Sequence, residues 1–226
     1  MKKALWTLVV DNYPKEITDL TFPLLKLHAH KIGAEFNVIS ERKFPGFPPC
    51  YEKFQIYELG RNYDWNLYID ADALIRPDLF DVTSMVHKDT VVFSAKDMSL
   101  NRFRADKYFL RDGRFIAEGN WFAAGSDWCL DLWHPLDDMT LEEAAGNIFP
   151  TPPEVASGII DPLHLLDDYL VSRNISRFGL KHTTVKDLQI MHGREMDQYF
   201  HHTYAMSADE KLALMKKVLQ SWGVGQ

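Results

Sequence analysis

Three short strand-patterned runs, separated by helix-patterned stretches, fill the first seventy residues and leave few folds open. Residues 4–10 are near-continuously apolar, the pattern of a strand covered on both faces. Residues 17–32 carry Ile17, Leu20, Leu24, Leu27 and Ile32 at helical spacing and stop at Gly33, a residue suited to a helix C-cap. Pro23 inside that run predicts a kink or a start at the proline. Residues 35–40 read as a second strand, residues 51–59 as a helix closed by Gly60, and Trp65–Ile69 as a third strand. The order is β-α-β-α-β. It predicts an α/β fold in which a Rossmann-like, mostly parallel sheet with right-handed crossovers is flanked by helices. Ligands of such sheets sit beyond the carboxyl ends of the strands.

Two signals fall on that rim. The third strand runs into Asp70-Ala71-Asp72, after which an apolar run resumes at Ala73, and the first strand runs into Asp11-Asn12-Tyr13. Residues i and i+2 of a strand share a face, so both carboxylates can point at one spot. Held that close they repel each other unless a cation or a proton neutralises them. A divalent metal with oxygen ligands answers that need, and such metals commonly hold a substrate's phosphates. The bland alternative is a strand-end turn with two solvated carboxylates.

Beyond residue 70 the pattern is less regular. Residues 90–94 and 121–125 read as short strands and 163–173 as a helix. Ser207-Ala208-Asp209-Glu210 is a capping box that opens a terminal amphipathic helix. A basic stretch holding Arg102, Arg104, Lys107, Arg111 and Arg114 reads as a solvated surface, a lid or an acceptor loop. At 226 residues the chain suits one domain, and 46% hydrophobic content supplies its core. The net charge of −7 argues against a non-specific nucleic-acid binder, which needs a basic surface. Two cysteines, Cys50 and Cys129, make neither a disulfide framework nor a zinc site by themselves. The apolar opening stops at Asp11 with no small-residue cleavage site after it, and no segment is long enough to span a membrane. A cytoplasmic setting is the expectation.

In this order the motifs resemble the GT-A fold of nucleotide-sugar glycosyltransferases with a D-x-D motif, in particular the glycogenin-like and galactosyltransferase-like group and its small viral or bacterial members. Four stretches carry the resemblance. They are the helix Lys53-Phe54-Gln55-Ile56-Tyr57-Glu58-Leu59, the motif Asp70-Ala71-Asp72, the segment Asn120-Trp121-Phe122-Ala123-Ala124-Gly125, and Ile190-Met191-His192-Gly193. The resemblance implies one domain over residues 1–226, with a nucleotide-binding half to about residue 95 and an acceptor-binding half after it. It also implies a metal-dependent hexosyltransferase moving sugar from a nucleoside diphosphate sugar, UDP-sugar first, to a hydroxyl on a glycan or glycoprotein.

The resemblance assigns residues too. Asp70, Asp72 and His192 would hold the metal. One imidazole among oxygens suits Mn²⁺, with Mg²⁺ second. Thr7, Leu8, Val9, Asp11 and Tyr13 fall where the family holds base and ribose, with Tyr13 a candidate to stack on uracil. Lys53, Asp70, Ala71, Asn120, Gly125 and Gly193 fall on the donor. Arg194 follows Gly193 where the group often has Lys-Pro-Trp, and takes over the diphosphate contact. Asp168, with Asp167 beside it, faces the acceptor as a catalytic candidate; Asp137-Asp138 is the competing pair. The plainer readings are a hydrogen-bonded His192 at a chain reversal, an ordinary helix lysine at 53, and helix N-terminal acids at 167 and 168. Trp121 and Trp133 are core residues by default and sugar platforms otherwise. Two rival functions stay open: a haloacid-dehalogenase-like phosphatase, and a non-catalytic nucleotide-sugar-binding domain.

Overall fold

The computed structural model describes residues 1–94, 121–148, 162–194, 198–203 and 206–224. The basic stretch from Arg102 to Arg114 lies outside them. The elements run β1 (Lys3–Leu8), α1 (Lys15–Ile32), β2 (Ala34–Ile39), a 3-10 segment (Pro49–Gln55), α2 (Ile56–Leu59), β3 (Trp65–Ile69) and β4 (Ala73–Ile75). After these come β5 (Thr90–Phe93), β6 (Phe122–Ser126), α3 (Leu141–Gly146), α4 (Leu166–Arg177), β7 (Lys181–Thr184), α5 (Val185–Met191), β8 (Phe200–His202) and α6 (Ala208–Ser221).

The main sheet has the order β2-β1-β3-β6-β5-β7, and β4 pairs with β8 in a separate two-stranded ribbon. β1 pairs parallel with β2 and β3, and β5 parallel with β7, while β6 lies antiparallel between β3 and β5. The predicted parallel first half is therefore present. Strand alternation splits the core into two layers. Ala4, Trp6, Tyr68, Val91, Phe93 and Ala123 face one layer, packed with residues of α4. Leu5, Leu67, Ile69, Val92, Phe122 and Ala124 face the other, packed with residues of α1. Both faces are covered, which is why these strands read as apolar runs.

Some boundaries shift. α1 starts at Lys15 and passes through Pro23 rather than beginning there. Tertiary packing of Ile17, Leu24, Leu25 and Ala29 outweighs the one backbone bond that proline forfeits. Gly33, at φ 68°, closes the helix, and its N–H donates to the His30 carbonyl. The helix expected over 51–59 is mostly the 3-10 segment, and Gly60 continues it instead of closing it. Gly60 is required for a different reason, since a Cβ there would sit 2.7 Å from the Asn66 side chain. Among the described residues no helix is long and apolar enough to cross a membrane.

α1 also contains a buried titrating group. His28 is 2% exposed, and its Nδ1 has no hydrogen-bond partner. Burial first, opposed by Asp81 and aided by Lys31 and Lys3, lowers its pKa to about 4. The unfolded chain then takes up this proton first as pH falls. Stability is complete above pH 6.5 and is lost between there and pH 4, by about 3 kcal/mol in total. Urea unfolding of wild type and His28→Leu at pH 7 and pH 5 measures this. The variant should lose about 2 kcal/mol less over that interval.

Candidate active site

Asp70 and Asp72 sit on a tight turn joining β3 to β4, closed by the Ala73 N–H donating to the Asp70 carbonyl at 3.1 Å. They are turn residues, so strand alternation is not what aligns them. The turn is fixed from several sides. The Asp70 N–H donates to the Trp121 carbonyl at 2.8 Å, the Thr21 hydroxyl of α1 donates to the Ala71 carbonyl at 2.7 Å, and Thr203 Oγ1 donates to the Asp72 carbonyl at 3.1 Å. Ala71 itself is buried, so its side chain faces the core.

The β4–β8 ribbon brings a histidine to the turn. Its register sets His202 opposite Ala73, next to the turn. His202 Nε2 lies 3.5 Å from Asp70 Oδ2 and 3.4 Å from Asp72 Oδ1, and its ring stacks on Trp121 with centroids 5.1 Å apart. Burial alone would lower its pKa, but the hydrogen bonds and charges of both aspartates raise it to about 9. Among the described residues, Asp70, Asp72 and His202 offer ligand atoms within 4.8 Å of one another. Two carboxylates and one imidazole form a donor set that fits an oxygen-preferring divalent ion tolerant of one nitrogen.

Among the described residues, the histidine in this cluster is not the expected one. His192 is exposed at the end of α5, and Gly193, at φ 66°, is the left-handed residue that terminates that helix. Arg194 is likewise exposed. Its N–H closes the same turn on the Gln189 carbonyl, and its guanidinium reaches Tyr199 at 3.2 Å. The chain-reversal reading of Ile190–Gly193 therefore describes this segment. The histidine that meets the two aspartates, His202, lies ten residues on, in a three-residue strand too short to show alternation.

Behind the turn lies a buried charge chain. Lys53, 1% exposed, sets its ammonium 2.7 Å from Asp167 Oδ2 and 3.7 Å from Asp70 Oδ1, over the Tyr68 ring. The Tyr68 hydroxyl donates to Asp70 Oδ1 at 2.5 Å. Burial opposes the Lys53 charge, yet Asp167 and Asp70 hold its pKa above the ordinary lysine value. Asp70 is pulled the other way. Burial would raise its pKa, but Lys53, His202 and Tyr68 together hold it well below the usual carboxylate range. Lys53 is thus neither an exposed helix lysine nor an open donor contact; it ties Asp167 to Asp70. Asp167 is buried and Asp168 partly buried, both in the first turn of α4.

The other candidates separate. At the end of β1, Thr7 is buried with Oγ1 unpartnered, while Leu8 and Val9 are partly buried. Asp11 and Asn12 follow at φ 54° and 57°, two consecutive left-handed non-glycine residues. Such geometry costs on the order of 1 kcal/mol or more each and persists only when over-determined. An ion pair with Arg42 holds Asp11, and Arg42 is itself fixed by fully buried Glu52 at 2.9 Å. The Tyr13 hydroxyl is buried without a partner, and burial, then Asp72 and Asp70, raise its pKa. It faces the acidic cluster.

Gly125 moves away from the site. Antiparallel pairing sets it opposite Asn66, at the far end of β3 from Asp70, where a Cβ would press on Trp133 at 3.3 Å. Asn120 lies outside the described residues. Trp133 is fully buried core, and Asp137 and Asp138 pair with Arg177 and Arg173. One residue had no sequence signal at all. Lys211 of α6 reaches Asp72 Oδ2 with its ammonium.

No protein-family model matches the sequence, and no curated protein matches it significantly. Solved structures do match. An active-site mutant of LgtC superposes with a TM-score of 0.54 at 14% identity, covering 96% of each chain. The fold is that of a GT-A glycosyltransferase. Two further GT-A structures match over similar lengths. The galactosyltransferase LgtC in complex with donor and acceptor sugar analogs has a TM-score of 0.49 at 13% identity, covering 98% of this chain and 100% of its own. A glycosyltransferase involved in glycosylation of the major capsid of PBCV-1 has 0.49 at 14%, covering 95% and 99%. At identities this low the likeness is one of fold.

Proposed function

We propose that this GT-A chain is a metal-dependent glycosyltransferase that moves a sugar from a nucleoside diphosphate sugar, UDP-sugar first, to a hydroxyl on a glycan or glycoprotein. The observation that carries this reading is the cluster of Asp70, Asp72 and His202 at the carboxyl rim of the sheet. Mn²⁺, with Mg²⁺ second, held by these three side chains would act as a Lewis acid against the charge growing on the leaving diphosphate. The chain's own residues set up the rest. The buried Lys53 keeps Asp70 ionised and fixes the Asp167 carboxylate beside it. Asp167, with Asp168 next to it, orients the acceptor hydroxyl against the donor. Asp11, clamped by Arg42, and the Tyr13 hydroxyl define the nucleoside end. Both cysteines are free thiols, which suits the cytoplasmic setting we assign.

The phosphatase reading requires the first aspartate to attack as a nucleophile. Here both Asp70 oxygens are engaged, Oδ1 by Tyr68 and Lys53 and Oδ2 by His202. That arrangement suits a ligand better than a nucleophile.

Calorimetric titration of UDP, GDP and their common sugars, each with and without Mn²⁺, tests the proposal. Binding of one nucleotide that requires Mn²⁺ and vanishes in Asp72→Ala is the expected result. No nucleotide binding under any metal condition would overturn it.

A further inference from the structure

Asp72 already has a cation. The capping box at Ser207 fixes the first turn of α6: the Ser207 N–H donates to Glu210 Oε2 at 2.9 Å, and the Ser207 side chain accepts from the Glu210 N–H. The Lys211 N–H then donates to the Ser207 carbonyl at 2.9 Å, so the first turn sets where the Lys211 stem departs. Its ammonium takes Asp72 Oδ2 while His202 faces Oδ1, and Lys211 and Asp72 side chains are 17% and 14% exposed. Both oxygens of the second aspartate are therefore claimed from within the chain. A divalent ion at this turn competes with an ammonium for the same carboxylate.

The helix does not depend on that ion pair for its place. α6 buries Met215 in the core shared with α1, and Leu212, Val218, Leu219 and Trp222 pack around it. Lys211 can let go of Asp72 while α6 stays docked. A freed ammonium, still beside the acidic turn and partly shielded from water, then needs a new anion. A diphosphate held by the metal is such an anion.

We propose that Lys211 is a displaceable internal counter-ion that makes metal and nucleotide binding cooperative. It occupies Asp72 until the metal takes that carboxylate, and a diphosphate arriving with the metal receives the released ammonium. Each ligand alone meets a penalty that the other removes, and the resulting coupling is reciprocal. This inference rests on the metal-dependent reading above.

The test is a thermodynamic cycle on the full chain. Mn²⁺ alone, UDP alone, and each in the presence of the other are titrated calorimetrically into wild type, Lys211→Met and Lys211→Arg. Methionine keeps much of the apolar stem and removes the charge. In Lys211→Met, Mn²⁺ alone should bind about tenfold more tightly, and the Mn²⁺–UDP coupling factor should fall about tenfold. Lys211→Arg should keep much of the wild-type coupling. An unchanged or weakened Mn²⁺ affinity in Lys211→Met, with Mn²⁺-dependent UDP binding intact in wild type, overturns the counter-ion and leaves the transferase reading standing. Absence of Mn²⁺ and UDP binding in all three proteins overturns both.

Discussion

Asp72→Ala is expected to retain less than about 1% of wild-type turnover on the UDP-sugar that calorimetry selects. The side chain lies at the cluster of ligands, within 3.4 Å of His202 through Oδ1, and its loss leaves one carboxylate and one imidazole for the ion. Two ligands hold a divalent cation poorly, and the leaving diphosphate would then carry its charge without help. A hundredfold loss corresponds to roughly 2.7 kcal/mol of transition-state stabilisation, the least expected here. The turn's backbone bonds to Trp121 and Thr21 do not involve this carboxylate. The turn should therefore keep its fold, with thermal unfolding lowered by the stranded Lys211 ammonium, while donor turnover collapses. Turnover above one tenth of wild type at saturating Mn²⁺ would remove Asp72 from the metal set.

The second large effect is on stability. Lys53→Met should lower stability by about 3–5 kcal/mol, or roughly 10 °C in melting temperature for a chain of this size. The ammonium is almost fully buried between Asp167 at 2.7 Å and Asp70 at 3.7 Å. Removing it strands two carboxylates with their main neutralising charge gone, and stranded buried charge is costly. The diagnostic is the double variant Lys53→Met with Asp167→Asn. If the ion pair is the cause, the second substitution recovers part of the loss in thermal unfolding, giving a coupling of about 1 kcal/mol or more. Strict additivity of the two single effects would refute it. A lysine at an exposed helix position would show neither the large loss nor the recovery.

Lys53 also shows how far the sequence could be read. Its place one helix before Asp70-Ala71-Asp72 suggested a donor contact, whereas the structure buries it between Asp70 and Asp167. Its partner was invisible, since Asp167 is 114 positions away and nothing local links the two. The parallel β1, β2 and β3 were legible for a local reason: β1 and β3 are apolar-rich runs, and β2 is a short strand-patterned stretch that follows the helix-closing Gly33. The antiparallel insertion of β6 between β3 and β5 was not, because pairing direction is set by connection geometry rather than composition. That pairing removed Gly125 from the rim. His202 escaped for a further reason. The two-stranded ribbon that carries it pairs only three residues on each side, too few for a period-2 pattern to stand out, while His192 had the adjacent glycine that drew attention.

The position of that ribbon has a consequence for biosynthesis. Thr203, which holds the Asp72 carbonyl, stands 131 positions after it, and Lys211, which holds its carboxylate, stands 139 after it. During synthesis the aspartate turn leaves the ribosome long before the groups that neutralise it. The β1–β2–β3 unit has its contacts early, whereas the acidic turn must wait as a bare anionic corner for β8 and α6 to close over it. Completion of the acidic centre is in this way tied to the C-terminal ribbon and helix, which bring His202, Thr203 and Lys211 to Asp70 and Asp72.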